Sequence, residues 1–262
     1  MKIHWFSPLP PVEVSAAACT AAVVPCLART TSIVLWTAQA AWDPALARYA
    51  RVRKYSMRRF PWRTLNRGDL AVFNLGREAE HHGTIWRLLQ AHSGIAVVHD
   101  AQLHELYLQA PHPVSGEDPG YVAECERFYG SAGRLAGEIF RGGLCSAARM
   151  AERFPMFEPV VEAASGVMVY DGALAGRLAR QTGPPVVHVP NPLGEGGNPD
   201  EFVRALLQLA SAAGSGYATS LIMAQRIAHA MKPIVNAQVR EAVLNRAADA
   251  VCSMTTRRAG GD

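Results

Sequence analysis

The stretch GIAVVHDAQLHEL, residues 94–106, places an imidazole, a carboxylate and a second imidazole just after an aliphatic run. His99 and Asp100 follow Val98 directly, and His104 lies four residues beyond Asp100. Such a group can exchange protons, accept hydrogen bonds from hydroxyls or ligate a cation. A structural alternative exists. If a helix begins at Asp100, the carboxylate caps it and His104 stacks one turn further along the same face.

A second group closes another aliphatic run, in NLGREAEHH, residues 74–82. Asn74 and Gly76 follow DLAVF, and Gly76 permits a tight turn or the close approach of a ligand. His81 and His82 fall in the first turns of the helix expected next. A zinc site from His82, His99 and His104 with Asp100 is conceivable, but neither H-E-x-x-H nor a comparably compact spacing occurs, so no metal is expected. Nor is a cofactor. There is no G-x-S-x-G, no Walker A loop and no G-x-G-x-x-G after the first strand. SPLPPVEVSAAA stands where a phosphate-binding loop would lie and contains no glycine.

The third feature is RYARVRKYSMRRFPWRTLNR, residues 48–67. Its basic residues, Arg58 and Arg59 among them, are interleaved with Tyr49, Tyr55, Phe60 and Trp62. No acidic residue occurs between Pro44 and Gly68. Guanidinium forks can hold phosphates here. Alternatively the segment is a solvated excursion pinned to the body by its aromatics. No nucleic-acid module surrounds it, so nucleic acid is not the expected partner.

The elements that position these residues alternate. KIHWFS, TSIVLWT, DLAVFNL, GIAVVHD, GVMVYD and PPVVHVP read as six strands. Helical patterns cover Ser15 to Arg29, with Pro25 at a bend or end, and Glu78 to His92, with a further helix in GALAGRLARQTG. This alternation predicts an α/β fold: a single Rossmann-like, doubly wound parallel sheet with helices on both faces. Ligands of such sheets lie beyond the carboxyl ends of the strands, where His99 and Asp100 fall. A helical insertion spans about 121–163, broken at Gly130, Gly142, Gly143 and Pro155. The expected organisation is a domain over 1–192, a helical extension over 193–254 and a disordered tail over 255–262.

With 262 residues, 49% hydrophobic and 18% charged, the chain has ample material for a core. No apolar run is long enough to span a bilayer. MKIHWFSPLPP lacks the uninterrupted apolar region of a signal peptide, so a cytoplasmic location is expected. Five scattered cysteines with no C-x-x-C pair argue against a zinc ribbon or a disulfide framework. A net charge of +4 suits an anionic ligand or membrane surface without requiring either.

FSPLPP, VVPCL, VLWT, LNRGDLAVFNLG, HHGTIW, GIAVVHDAQLHEL, YVAECERFYG and GVMVYD run in order through most of the first 190 residues. Together they resemble the amino-terminal domain of GT-B glycosyltransferases of the family 4, glycogen-synthase-like type. The most specific parts are NLG followed by His82, and the HD-x-x-LH set. The resemblance implies an acceptor-binding domain forming half of an interdomain cleft, with the histidine matching His99 beside the transferred sugar. It implies a second domain that holds the nucleotide-sugar, and metal-independent chemistry. Two departures stand out. In the family's glycine-containing loop after the first strand, this chain has Ser15 at the glycine position, Ala18 at the aspartate and Cys19 at the tyrosine. About 70 residues follow VVHVPNPL, too few for a second Rossmann-like domain.

On these grounds His99 and Asp100 are the candidate catalytic residues. Asn74, Gly76, His82, His104, Arg58 and Arg59 are the candidate substrate-binding residues. The expected function is the acceptor-binding half of a glycosyltransferase, inactive in hexosyl transfer when alone. Its expected partners are a separate donor-domain protein, or a second copy of itself, and a sugar or lipid-linked acceptor, with peripheral contact at the inner face of a membrane. The competing reading is a non-catalytic sugar- or protein-binding module, or a homodimeric transferase.

Overall fold

A computed structural model describes residues 1–109, 120–180 and 183–213. Its centre is a seven-stranded, all-parallel sheet. The chain runs β1 (Lys2–Phe6), α1 (Ser15–Leu27), β2 (Ser32–Thr37), β3 (Arg51–Lys54), α2 (Trp62–Leu65), β4 (Leu70–Leu75), α3 (Ala79–Ala91) and β5 (Ile95–Val98). It continues through α4 (His104–Gln109), α5 (Gly120–Arg141), α6 (Ala147–Arg153), α7 (Glu158–Ala163), β6 (Gly166–Val169), α8 (Gly172–Leu178), β7 (Val186–His188) and α9 (Pro199–Ala213). The strand order is β3-β2-β1-β4-β5-β6-β7. Chain progression reverses between β1 and β4, which opens a crevice at their carboxyl ends.

Both faces of the sheet are buried, and for that reason the central strands read as continuous apolar runs. Ile3, Trp5, Val72, Ile95 and Val97 face one layer, which α1 and α9 cover through Val23, Leu27, Phe202 and Leu206. Phe6, Phe73, Leu75, Ala96 and Val98 face the other, beneath α3, α7 and α8. Pro25 lies in the last turn of α1, near its end as expected.

The doubly wound expectation holds, and all six expected strands form. The seventh, β3, lies inside the basic segment and had no apolar signature to announce it. Its RVRK sequence is an edge strand with the two terminal residues exposed, and edge strands carry charge rather than aliphatic side chains. The excursion around it is pinned as its aromatics suggested. Tyr55 and Phe60 are buried against Trp36 and Phe6.

The helical insertion breaks where its glycines indicated. At Gly130 the backbone takes φ 66° and ψ −155°, dividing α5 into two helical halves. A Cβ on Gly133 would sit 2.1 Å from the Cys125 carbonyl oxygen, so the halves pack backbone to backbone. Of the carboxy-terminal extension, the structure describes α9. Residues 214–254 and the expected tail over 255–262 lie outside the described residues.

Candidate functional site

Asn74, the fifth residue of β4, organises the strand tips. It is fully buried, and its amide nitrogen donates to the Phe6 carbonyl at 3.0 Å. That contact fixes the amide, so Oδ1 points the other way and accepts from His99 Nε2 at 3.0 Å. His99 therefore carries its proton on Nε2, leaving Nδ1 as the lone-pair side. The backbone carbonyl of Asn74 meets His82 Nδ1 at 3.0 Å. A carbonyl can only accept, so His82 is protonated on Nδ1 and its Nε2 is an acceptor. That Nε2 is buried and has no hydrogen-bond partner among the described residues. The Glu78 carboxylate, 3.8 Å away, is beyond hydrogen-bond reach.

Gly76 stands between His82 and Asp100. A Cβ there would lie 2.7 Å from His82 Nε2 and 3.0 Å from Asp100 Oδ2. The glycine is thus required for space, and what approaches it closely is the chain's own imidazole and carboxylate. Asp100 Oδ2 accepts from the backbone N–H of Arg77 at 2.9 Å, tying the β5 tip to the β4 tip. The helix begins at His104, not at Asp100, so the two do not share a helical face.

His104 is fully buried and has both ring nitrogens engaged. Nδ1 meets the Phe154 carbonyl at 2.7 Å, and Nε2 meets the Tyr121 hydroxyl at 2.9 Å. It clamps the helical insertion to the sheet layer. Arg58 and Arg59 are exposed in a 3-10 turn beyond β3. Four strand spacings separate β3 from β5, which puts these arginines roughly 19 Å from the His99 tip. The strand tips therefore bring together Asn74, Gly76, His82, His99 and Asp100, and leave His104, Arg58 and Arg59 elsewhere. Among the described residues, no group of three or more His, Cys, Asp or Glu side chains is arranged so that it could hold a metal ion.

Burial keeps both tip imidazoles neutral. Loss of hydration lowers the His82 pKa to about 4, against the opposing pull of the Asn74 carbonyl and Glu78. His99 is lowered by the same cause and by the nearby His82. The Asp100 carboxyl is raised by burial, partly countered by the Arg77 N–H. The His82 lone pair and the Asp100 carboxylate thus border one glycine, with the neutral His99 imidazole next to Asp100 in the chain. The set is rich in acceptors and suits a ligand rich in hydroxyl donors. Proton transfer near neutral pH is less favoured, because an effective base has a pKa near the working pH.

Tyr170 was not singled out from the sequence. It follows β6 as His99 follows β5, and its ring packs edge-on against His99 at 5.3 Å. Its hydroxyl meets Cys19 Sγ of α1 at 3.3 Å. Burial raises the Cys19 thiol to about 11, so it remains a thiol. The signal was present: VVHD and VMVYD share the pattern of aliphatic pair, ring and aspartate at a strand end. Asp171, however, caps α8 by accepting from Leu174 N–H at 2.7 Å. Beside Cys19, Ala18 joins Pro10, Pro11 and Val14 in lining a shallow groove of about 420 Å³ over the β1–α1 loop.

No family model, curated protein or solved structure matches the chain. Its class is the one the fold defines, an α/β protein with a Rossmann-like, all-parallel sheet. No described helix is long and apolar enough to cross a membrane.

Proposed function

We propose that this protein binds a sugar hydroxyl group at the tips of β4 and β5, as the acceptor-side half of a GT-B-like glycosyltransferase. Its donor site is supplied by a separate partner chain or a second copy of this one. One observation carries the reading: His82 Nε2 is a buried, unpartnered acceptor beside the Asp100 carboxylate, next to His99 with its own lone pair turned away from Asn74. Sugars supply hydroxyl donors in the number and spacing that such a set can accept. The resemblance of NLG, His82 and HD-x-x-LH to the family 4 enzymes supports the same assignment, and a lipid-linked saccharide is one acceptor of the required chemistry.

A non-catalytic sugar-binding module is the second reading, favoured by the low basicity of both imidazoles. Both readings require saccharide binding. Transfer requires two substrates held together, so the isolated chain should turn over no nucleotide-sugar. The binding test is NMR of the imidazole resonances during titration with a panel of mono- and disaccharides. His82 and His99 should shift in the wild type; both should fail to respond in Asp100→Asn, and His82 should fail to respond in His99→Ala. Absence of any saccharide response would overturn the proposal, and robust sugar transfer by the purified chain alone would overturn the half-enzyme assignment.

A further inference from the structure

The basic segment is segregated from the rest of the molecule. Residues 44–68 hold eight of the 26 basic residues and none of the 22 acidic ones, so the remaining chain, with 18 against 22, is net acidic. The structure gathers most of these cations on β3 and on the connection that leads from it to β4. Arg51 and Lys54 lie at the two ends of the strand, Arg58 and Arg59 beyond its carboxyl end, and Arg63 and Arg67 on the return toward β4. All six are exposed, and none forms an ion pair among the described residues. Elsewhere Arg29, Arg77, Arg127 and Arg134 each lie against a carboxylate.

Two exposed aromatic rings belong to the same segment. Trp62 is 38% exposed and Tyr49 is 45% exposed, whereas Trp5, Trp36 and Trp86 are buried and Trp42 is half-buried. The Trp62 ring packs on the buried Phe60, with centroids 4.6 Å apart. An exposed indole among unpaired arginines has an apolar body for the headgroup boundary and charges for anionic lipids. The exposed rings here are Trp62 and Tyr49, whereas single-stranded nucleic acid is held by a succession of stacked bases along a basic groove.

We propose that the β3 edge docks the protein on an anionic lipid bilayer, with Arg58, Arg59 and Arg63 on phosphate headgroups and Trp62 at the interface. The inference does not depend on saccharide binding, because the basic segment is separate from the strand-tip cluster. Docking by this edge lays the sheet on the membrane side-on and leaves the β4 and β5 tips open to an acceptor that reaches up from the bilayer.

The test is cosedimentation of the full chain with phosphatidylcholine vesicles, with and without a minor fraction of phosphatidylglycerol, at low and high salt. Binding should require phosphatidylglycerol and weaken with salt, since exposed charges are screened over about 10 Å at 0.1 M. Arg58→Glu with Arg59→Glu should lower partitioning at least about tenfold. Trp62→Ala should weaken binding that persists at high salt. Should the reversed pair fold poorly by urea midpoint, Arg58→Gln with Arg59→Gln serves in its place. Three results would overturn the proposal: no phosphatidylglycerol-dependent binding, binding undiminished by the substitutions, or capture of a single-stranded oligonucleotide with vesicles ignored. The last two assign the basic segment to edge protection or to nucleic acid.

Discussion

His82 sits in a fully buried position, with one nitrogen bonded to backbone and the other facing Gly76. Its pKa is near 4 in the folded protein against an ordinary value of 6.5. Between those values the unfolded chain takes up the proton more readily than the folded one. Stability from this ring is therefore complete above about pH 6.5 and declines as pH falls toward 4, by up to roughly 3 kcal/mol. His4, buried on β1 beneath the Trp36 indole and also lowered to about 4, acts in the same direction. Urea midpoints should fall across that window. His82→Asn, whose amide can replace the Nδ1–H donor, should flatten part of the slope while leaving His4's share. An unchanged slope would mean that the imidazole is not held neutral by the fold. At this scale the sequence exposed the residue types at the strand ends. It did not distinguish His104, whose nitrogens are consumed by Phe154 and Tyr121 fifty and seventeen residues away. Those contacts are long-range, and no local spacing encodes them.

The elements differ in how openly their sequences declared them. β1, β4 and β5 are aliphatic runs because both their faces are covered. β3 escaped notice because an edge strand keeps charge at its ends, and its pairing partner, β2, supplies the apolar contact. The insertion was legible through its glycines, and α5 illustrates why they are there. The second half lies so close to the first that Gly133 has no room for a side chain. Gly133→Ala should push the halves apart and cost about 1–3 kcal/mol, read as a lowered urea midpoint. Hydrogen exchange should rise first within residues 120–141. A neutral substitution would show that the two halves are not in close register.

On the scale of the whole molecule, α9 belongs to the same packed body as the sheet. Phe202 meets Trp5 of β1 and Tyr170 at the β6 tip, and Leu206 and Leu209 fill the layer beside α1. Leu206→Ala should therefore cost about 2–5 kcal/mol and lower the midpoint of one cooperative transition, seen equally by near-UV and far-UV circular dichroism. Separate transitions would mark α9 as an independent appendage. The sequence alone determined the α/β class, the strands buried on both faces, the glycine breaks and the segregation of basic charge. Each of these follows from local periodicity, backbone freedom or composition. Only the tertiary structure decided which polar residues meet. The side-chain amide and backbone carbonyl of one buried residue, Asn74, connect β1, β4, the β5 tip and α3 across up to 68 residues of chain. That convergence depends on strand order and register, properties of the folded sheet that no single segment carries.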